Sequence, residues 1–150
     1  MKPVYFINEV TVQYKKVTFT NQKILSSADS AVIAREVYQK TDSHIELKEY
    51  FFILLLNRAN EVIGYNKLSE GGIGGTVVDL RLAYSMAIKS LASAIVLVHN
   101  HPSGKLTHSE QDLSITKQFI KVGKLLEIQV LDHVILAADG HYSFADNGWL

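Results

Sequence analysis

The chain has 150 residues, with 15 basic and 15 acidic side chains, and 47% of it is hydrophobic. That suits one domain with its own core and excludes disordered, collagen-like and coiled-coil classes. Zero net charge argues against a broad basic surface for nucleic acid. The absence of cysteine excludes disulfides, thiolate metal ligands and a cysteine nucleophile.

In chain order, Glu9 to Phe19 mixes Val and Thr with polar residues and predicts a strand or hairpin. Asp29 to Gln39 places Val32, Ile33, Val37 and Tyr38 at helical spacing, with Asp29 or Ser30 as the cap. Tyr50 to Leu56 is continuously apolar, which predicts a central strand. It is the longest apolar run and falls far short of the ~20 residues that span a bilayer. Asn8 and Glu9 interrupt the apolar N-terminus, so no signal peptide is read there and a cytoplasmic location is expected. Glu61 to Leu68 predicts the next strand after a turn at Arg58 to Asn60. Gly71, Gly72, Gly74 and Gly75 predict a loop whose glycines serve turn geometry. They lack the spacing of a phosphate-binding fingerprint. A helix over Leu80 to Leu91 and a buried strand over Ala94 to Val98 follow. Ser109 to Leu126 predicts an amphipathic helix with Leu113, Thr116, Phe119, Ile120 and Leu125 inward. Strands over Ile128 to Ala137 and Tyr142 to Phe144 close the chain. The alternation predicts an α/β (α+β) fold, a mixed sheet flanked by helices.

The chemistry concentrates between Ala94 and Asp112. Residues two apart on an extended chain point the same way, so His99 and His101 can turn both imidazoles to one point. Pro102 and Gly104 end the strand and turn the chain. The helix that follows can return Asp112, on its first turn, beside the two histidines. Two imidazoles and a carboxylate suit Zn²⁺, with iron or manganese as alternatives, and leave a fourth position for water. Ser109 to Asp112 also reads as a helix cap with an acid in its first turn. Both readings hold together, because a cap would fix the aspartate.

His99-x-His101, followed by Ser109 and Asp112, resembles the JAMM (MPN+) metalloprotease signature. The string His99-Asn100-His101-Pro102-Ser103-Gly104 and the later Leu131-Asp132-His133-Val134-Ile135 resemble the RadC branch of that superfamily. The similarity covers about residues 45–145, leaving 1–44 as a strand/helix extension of a single 1–150 domain. It implies a JAB/MPN, cytidine-deaminase-like core and one Zn²⁺ per chain on His99, His101 and Asp112. It further implies Glu49, before the Tyr50 strand, as general base and Ser109 as oxyanion partner. Glu46 is the rival base; strand alternation puts it on the opposite face from Glu49. Asn100, Asp132 and His133 are candidates to orient the site, and Asp132 and His133 fit a polar contact between strands equally well. Pro and Glu, common beside the position of Arg81 in such sequences, are Leu80 and Leu82 here. His44, His108 and His141 are read as surface or loop histidines, His108 the nearest to the site.

The resemblance implies a zinc-dependent hydrolase acting on a peptide or isopeptide bond of an unidentified protein or peptide substrate. A nucleic-acid-processing protein is the second reading, weakened by the charge balance and the lack of a basic run. A non-catalytic MPN interaction module is the third, weakened by the complete ligand set. Oligomeric state is not readable.

Overall fold

Seven apolar residues in a row bury both faces of a strand, and Tyr50–Leu56 forms such a strand, β1. A computed structural model describes residues 1–71 and 77–150. In it β1 follows helix α1 (Ser27–Lys40) and precedes β2 (Val62–Glu70). Next come α2 (Leu80–Lys89), β3 (Ala94–Asn100), α3 (Glu110–Leu126), β4 (Gln129–Ala137) and β5 (Gly140–Ser143). The strands make one sheet in the order β2-β1-β3-β4-β5. β3 and β4 run parallel and every other neighbouring pair runs antiparallel. The parallel pair needs a crossover, which α3 supplies. This is the mixed, helix-flanked α/β sheet that the alternation predicts. Of the expected Gly71–Thr76 loop, residues 72–76 lie outside the described residues.

Period-two alternation divides the buried side chains between two cores. Phe52, Leu54, Leu56, Val96 and Val98 pack with Ile33, Ala34, Val37 and Tyr38 of α1. Phe51, Ile53, Leu55, Ile95 and Leu97 pack with Ala83, Tyr84 and Ala87 of α2 and Phe119 of α3. Each such side chain contributes ~1.5–3 kcal/mol when fully buried. The two faces matter for function, because the odd-numbered positions of β1 and β3 continue into the site.

Several local expectations are corrected. Residues 9–19 form no strand. Their alternation has no ladder beside it, and pairing starts only at an isolated bridge between Lys23 and Glu61. Phe19 alone of that stretch is partly buried, its ring 5.7 Å from that of Tyr65. The cap of α1 is Ser26, not Asp29 or Ser30; the Asp29 carboxylate instead accepts from Leu25 N and Ser26 Oγ. α2 stops at Lys89, and Leu91 turns outward with a positive φ. Val32 and Leu125 point to solvent, because Ile33, Ala34 and Val37 define the inner stripe of α1 and Thr116, Phe119 and Gly123 that of α3. No helix of the described residues is long and apolar enough to cross a membrane.

Candidate metal centre

The site lies where the C-terminal end of β3 meets the start of α3. His99 is the penultimate residue of β3, and His101 follows the strand. Their Nε2 atoms are 3.0 Å apart. Asp112 reaches both, with Oδ1 3.1 Å from His99 Nε2 and Oδ2 3.2 Å from His101 Nε2. Ligands bound to tetrahedral zinc at about 2.0–2.1 Å are separated from one another by about 3.3 Å. The three side chains therefore meet at nearly the spacing that a tetrahedral ion imposes.

Asp112 is held there by a capping box. Ser109 is the N-cap of α3, and its Oγ accepts from Asp112 N at 3.0 Å. The Asp112 Oδ2 accepts in turn from Ser109 N at 2.8 Å. The cap thus holds the Asp112 carboxylate beside the two histidines. Burial pushes the Asp112 carboxyl up. Hydrogen bonds from His101 and His99, the charge of His99 and the Ser109 N–H more than reverse this and hold it well below the usual carboxylate range. His101 is the counterpart: burial lowers it, but Asp112 and the Lys105 carbonyl bring its net shift above the ordinary histidine value.

Hydrogen bonds behind the histidines assign their tautomers. A carbonyl can only accept, so the Thr116 hydroxyl donates to Asp112 O at 2.6 Å. Thr116 Oγ1 then accepts from His133 Nδ1, also at 2.6 Å. That leaves His133 Nε2 as the acceptor of the His99 Nδ1 proton at 2.7 Å. When the ring is neutral this leaves His99 Nε2 with a bare lone pair; when it is protonated, Nε2 donates to Asp112. His101 Nδ1 donates to the Lys105 carbonyl at 2.8 Å, which bares its Nε2 as well whenever that ring is neutral. Burial, with the charge of His99 next, pushes His133 well below the ordinary histidine range, in keeping with a neutral relay. Two lone pairs 3.0 Å apart beside a carboxylate are repulsive unless a cation or a proton lies among them.

Packing fixes the imidazole planes. The Phe51 ring stacks on His99 with an interplanar angle of 2°, and Phe144 stacks on His133 at 11°. Phe51 is also the cross-strand partner of His99. The same antiparallel register, carried two residues further, brings Glu49 opposite His101. Glu49, His99 and His101 indeed offer ligand atoms all within 4.8 Å of one another. Glu46 is exposed and lines a different cavity, with Arg35, Asp42 and Leu47. Of the two acids, Glu49 is the one that stands beside the histidines. Glu49, Ser109, His99, His101 and Asp112 line an open cleft of about 710 Å³, whose wall also carries Val77, Ser103, Gln111, Ser114 and Gln118.

The remaining candidates divide. His133 stands directly behind His99. Asp132 touches none of His99, His101 and Asp112; it accepts from His133 N, Ala145 N and Ser143 Oγ and ties β4 to the turn after β5. Asn100 alternates to the opposite face of the sheet and contacts neither imidazole. Arg81 is exposed and pairs with Asp79, the cap of its own helix. His108 is half-buried among Tyr142, Phe144 and Trp149 and does not line the cleft. His141 is half-buried on β5 with Nε2 3.3 Å from Ser27 Oγ, whereas His44 is exposed and His108 lies in a loop, as expected. Sequence reasoning missed Thr116 and Phe51 as site residues. Thr116 lies four residues after Asp112, hence on the same helix face, and Phe51 lies two after Glu49 on the same strand face.

Residues 9–149 match the RadC-like JAB domain family. A UPF0758 protein of Flavobacterium johnsoniae is 39% identical over 127 residues, covering 85% of this chain and 53% of the relative. UPF0758 proteins of Alkaliphilus metalliredigens and Porphyromonas gingivalis are each 45% identical, covering 69% of this chain and 44% and 46% of theirs. The chain thus spans about half the length of these curated relatives.

Proposed function

The chain belongs to the RadC-like JAB domain family, and from that premise we propose that it is a zinc-dependent hydrolase that cleaves a peptide or isopeptide bond. The observation that carries the reading is the pair of imidazole Nε2 atoms 3.0 Å apart with both Asp112 oxygens turned on them. The donor set fits Zn²⁺, with His99, His101 and Asp112 holding one ion per chain. Bound there, zinc would supply a water of lowered pKa and a Lewis acid for a substrate carbonyl.

The protein's own groups do the rest. Glu49 accepts a proton from the attacking water and returns it to the leaving nitrogen, so the proton balance closes within the site. Ser109 Oγ spends its lone pair on Asp112 N and keeps its own proton free to donate to the developing oxyanion. Ser103, Gln111, Ser114 and Gln118 give the cleft wall donors and acceptors suited to the backbone of an extended peptide.

Metal analysis of chain purified without chelator tests the first half. Wild type should carry about one zinc, and Asp112→Ala should lose it. Absence of metal in wild type, even after reconstitution, would sink the reading. Hydrolysis of a peptide and isopeptide library tests the second half. Glu49→Gln should keep its zinc and lose roughly 10²–10⁴-fold in rate; full turnover by that variant would remove Glu49 as base.

A further inference from the structure

The β1–β3 ladder ends at Phe51 and His99, two residues short of Glu49. Beyond that pair no β3 backbone bond holds the segment that carries Glu49. A side chain takes over. Asn100, fully buried, places its amide against the backbone of residues 45–50 and uses every hydrogen-bonding capacity it has. Its Oδ1 accepts from Tyr50 N at 2.8 Å and from the Tyr38 hydroxyl at 3.0 Å. Its Nδ2 donates to Ile45 O at 2.7 Å and to Lys48 O at 2.9 Å. The Tyr38 hydroxyl also lies 3.1 Å from Tyr50 O. On the other side Gly71 N donates to Glu49 O at 2.8 Å, and the Glu70 carboxylate pairs with Lys48 Nζ at 2.9 Å.

We infer that Asn100 is the positioning residue for Glu49. It sits between the two histidine ligands in the chain and faces away from them. It therefore couples the β3 backbone that carries the ligands to the separate segment that carries the carboxylate. Its three backbone partners flank Glu49 on the approach and at the next residue, so a shift of the amide moves the carboxylate relative to the imidazoles. This rests on the reading of Glu49 as the group beside the metal. No other residue type of this size offers two donors and two acceptors at once except glutamine, which is one methylene too long for a packed position.

The test uses the full chain loaded with Co²⁺ in place of zinc, because the visible spectrum of cobalt reports the surroundings of the ion without any substrate. Four proteins are compared: wild type, Glu49→Gln, Asn100→Ser and the double variant. Asn100→Ser should bind about one Co²⁺ and give the spectral change that Glu49→Gln gives, and the double variant should add nothing to either. In the metal-free state its Tyr50 amide should exchange with solvent at least ~10-fold faster while the Ile53 and Leu55 amides keep their protection. A residue that merely stabilises the core would move all three amides and leave the cobalt spectrum alone. If Asn100→Ser does not fold, Tyr38→Phe removes only the hydroxyl that braces the amide, and should shift the spectrum in the same direction by less. A wild-type spectrum in the folded Asn100 or Tyr38 variant, with a clear change in Glu49→Gln, overturns the inference and leaves the base reading standing. An unchanged spectrum in Glu49→Gln itself overturns the base reading, and the inference with it.

Discussion

His133 Nε2 lies 2.7 Å from His99 Nδ1, and the two rings are brought together by the parallel pairing of β3 with β4. The contact sets the tautomer of His99, and Thr116 sets that of His133. Partners of this kind typically govern metal affinity by 10–100-fold. His133→Phe should therefore hold zinc about 10–100-fold more weakly than wild type, as read by competition with a chromophoric chelator. Unchanged affinity would reduce His133 to a packing residue.

Ser109 carries two roles that a pair of substitutions separates. Ser109→Ala removes the cap of α3 and should cost about 1 kcal/mol of stability, measured by urea unfolding. It should weaken zinc binding as well, because Asp112 N loses its acceptor. Ser109→Asn restores a cap acceptor and should recover most of the stability. A variant that recovers stability and metal but not hydrolysis would isolate the oxyanion role.

The chelator-treated protein should be most stable near pH 6.5. His133 is held well below its ordinary value of 6.5, by burial first and then by the charge of His99. Below that pH the unfolded chain binds a proton that the folded chain refuses, so stability falls by roughly 1.4 kcal/mol per pH unit. His101 acts on the other limb. Burial lowers it, but the bonds to Asp112 and Lys105 raise it overall. Its contribution is complete below 6.5 and is lost as pH rises through the raised value. Asp112, held low, contributes above 3.8 and loses that contribution only in stronger acid. Urea midpoints across this range check the curve, and a monotonic rise from acid to alkaline pH would contradict it.

Gly123 is the point where α3 passes closest to the chain that leaves it. A side chain there would run into the carbonyl oxygen of Ile128 and come within 2.9 Å of the Tyr84 hydroxyl. Ile128 N donates to Gly123 O at 2.9 Å, closing the helix as it turns into β4. Gly123→Ala should cost about 1–3 kcal/mol, seen as a lowered urea midpoint. A neutral effect would mean that this corner relaxes freely.

The sequence by itself determined the alternation of strands and helices, because apolar runs and helical spacing are local and each element carries its own signal. It also determined His99, His101 and Asp112 as the candidate ligands, since two-residue strand spacing and a capped helix start are written within fourteen consecutive positions. The tertiary structure decided what depends on register between distant segments. Only the folding of the segment before β1 against the end of β3 brings Glu49, not Glu46, beside His99 and His101. Only the sheet alternation turns Asn100 away from the imidazoles and onto the segment before β1. Only the parallel β3–β4 pair puts His133 behind His99 while Asp132, its neighbour in sequence, serves another turn. The N-terminal alternation of Val10, Val12 and Tyr14 went the other way and yielded no strand. A strand exists only with a partner ladder, and whether one is present is a property of the assembled sheet, not of the segment.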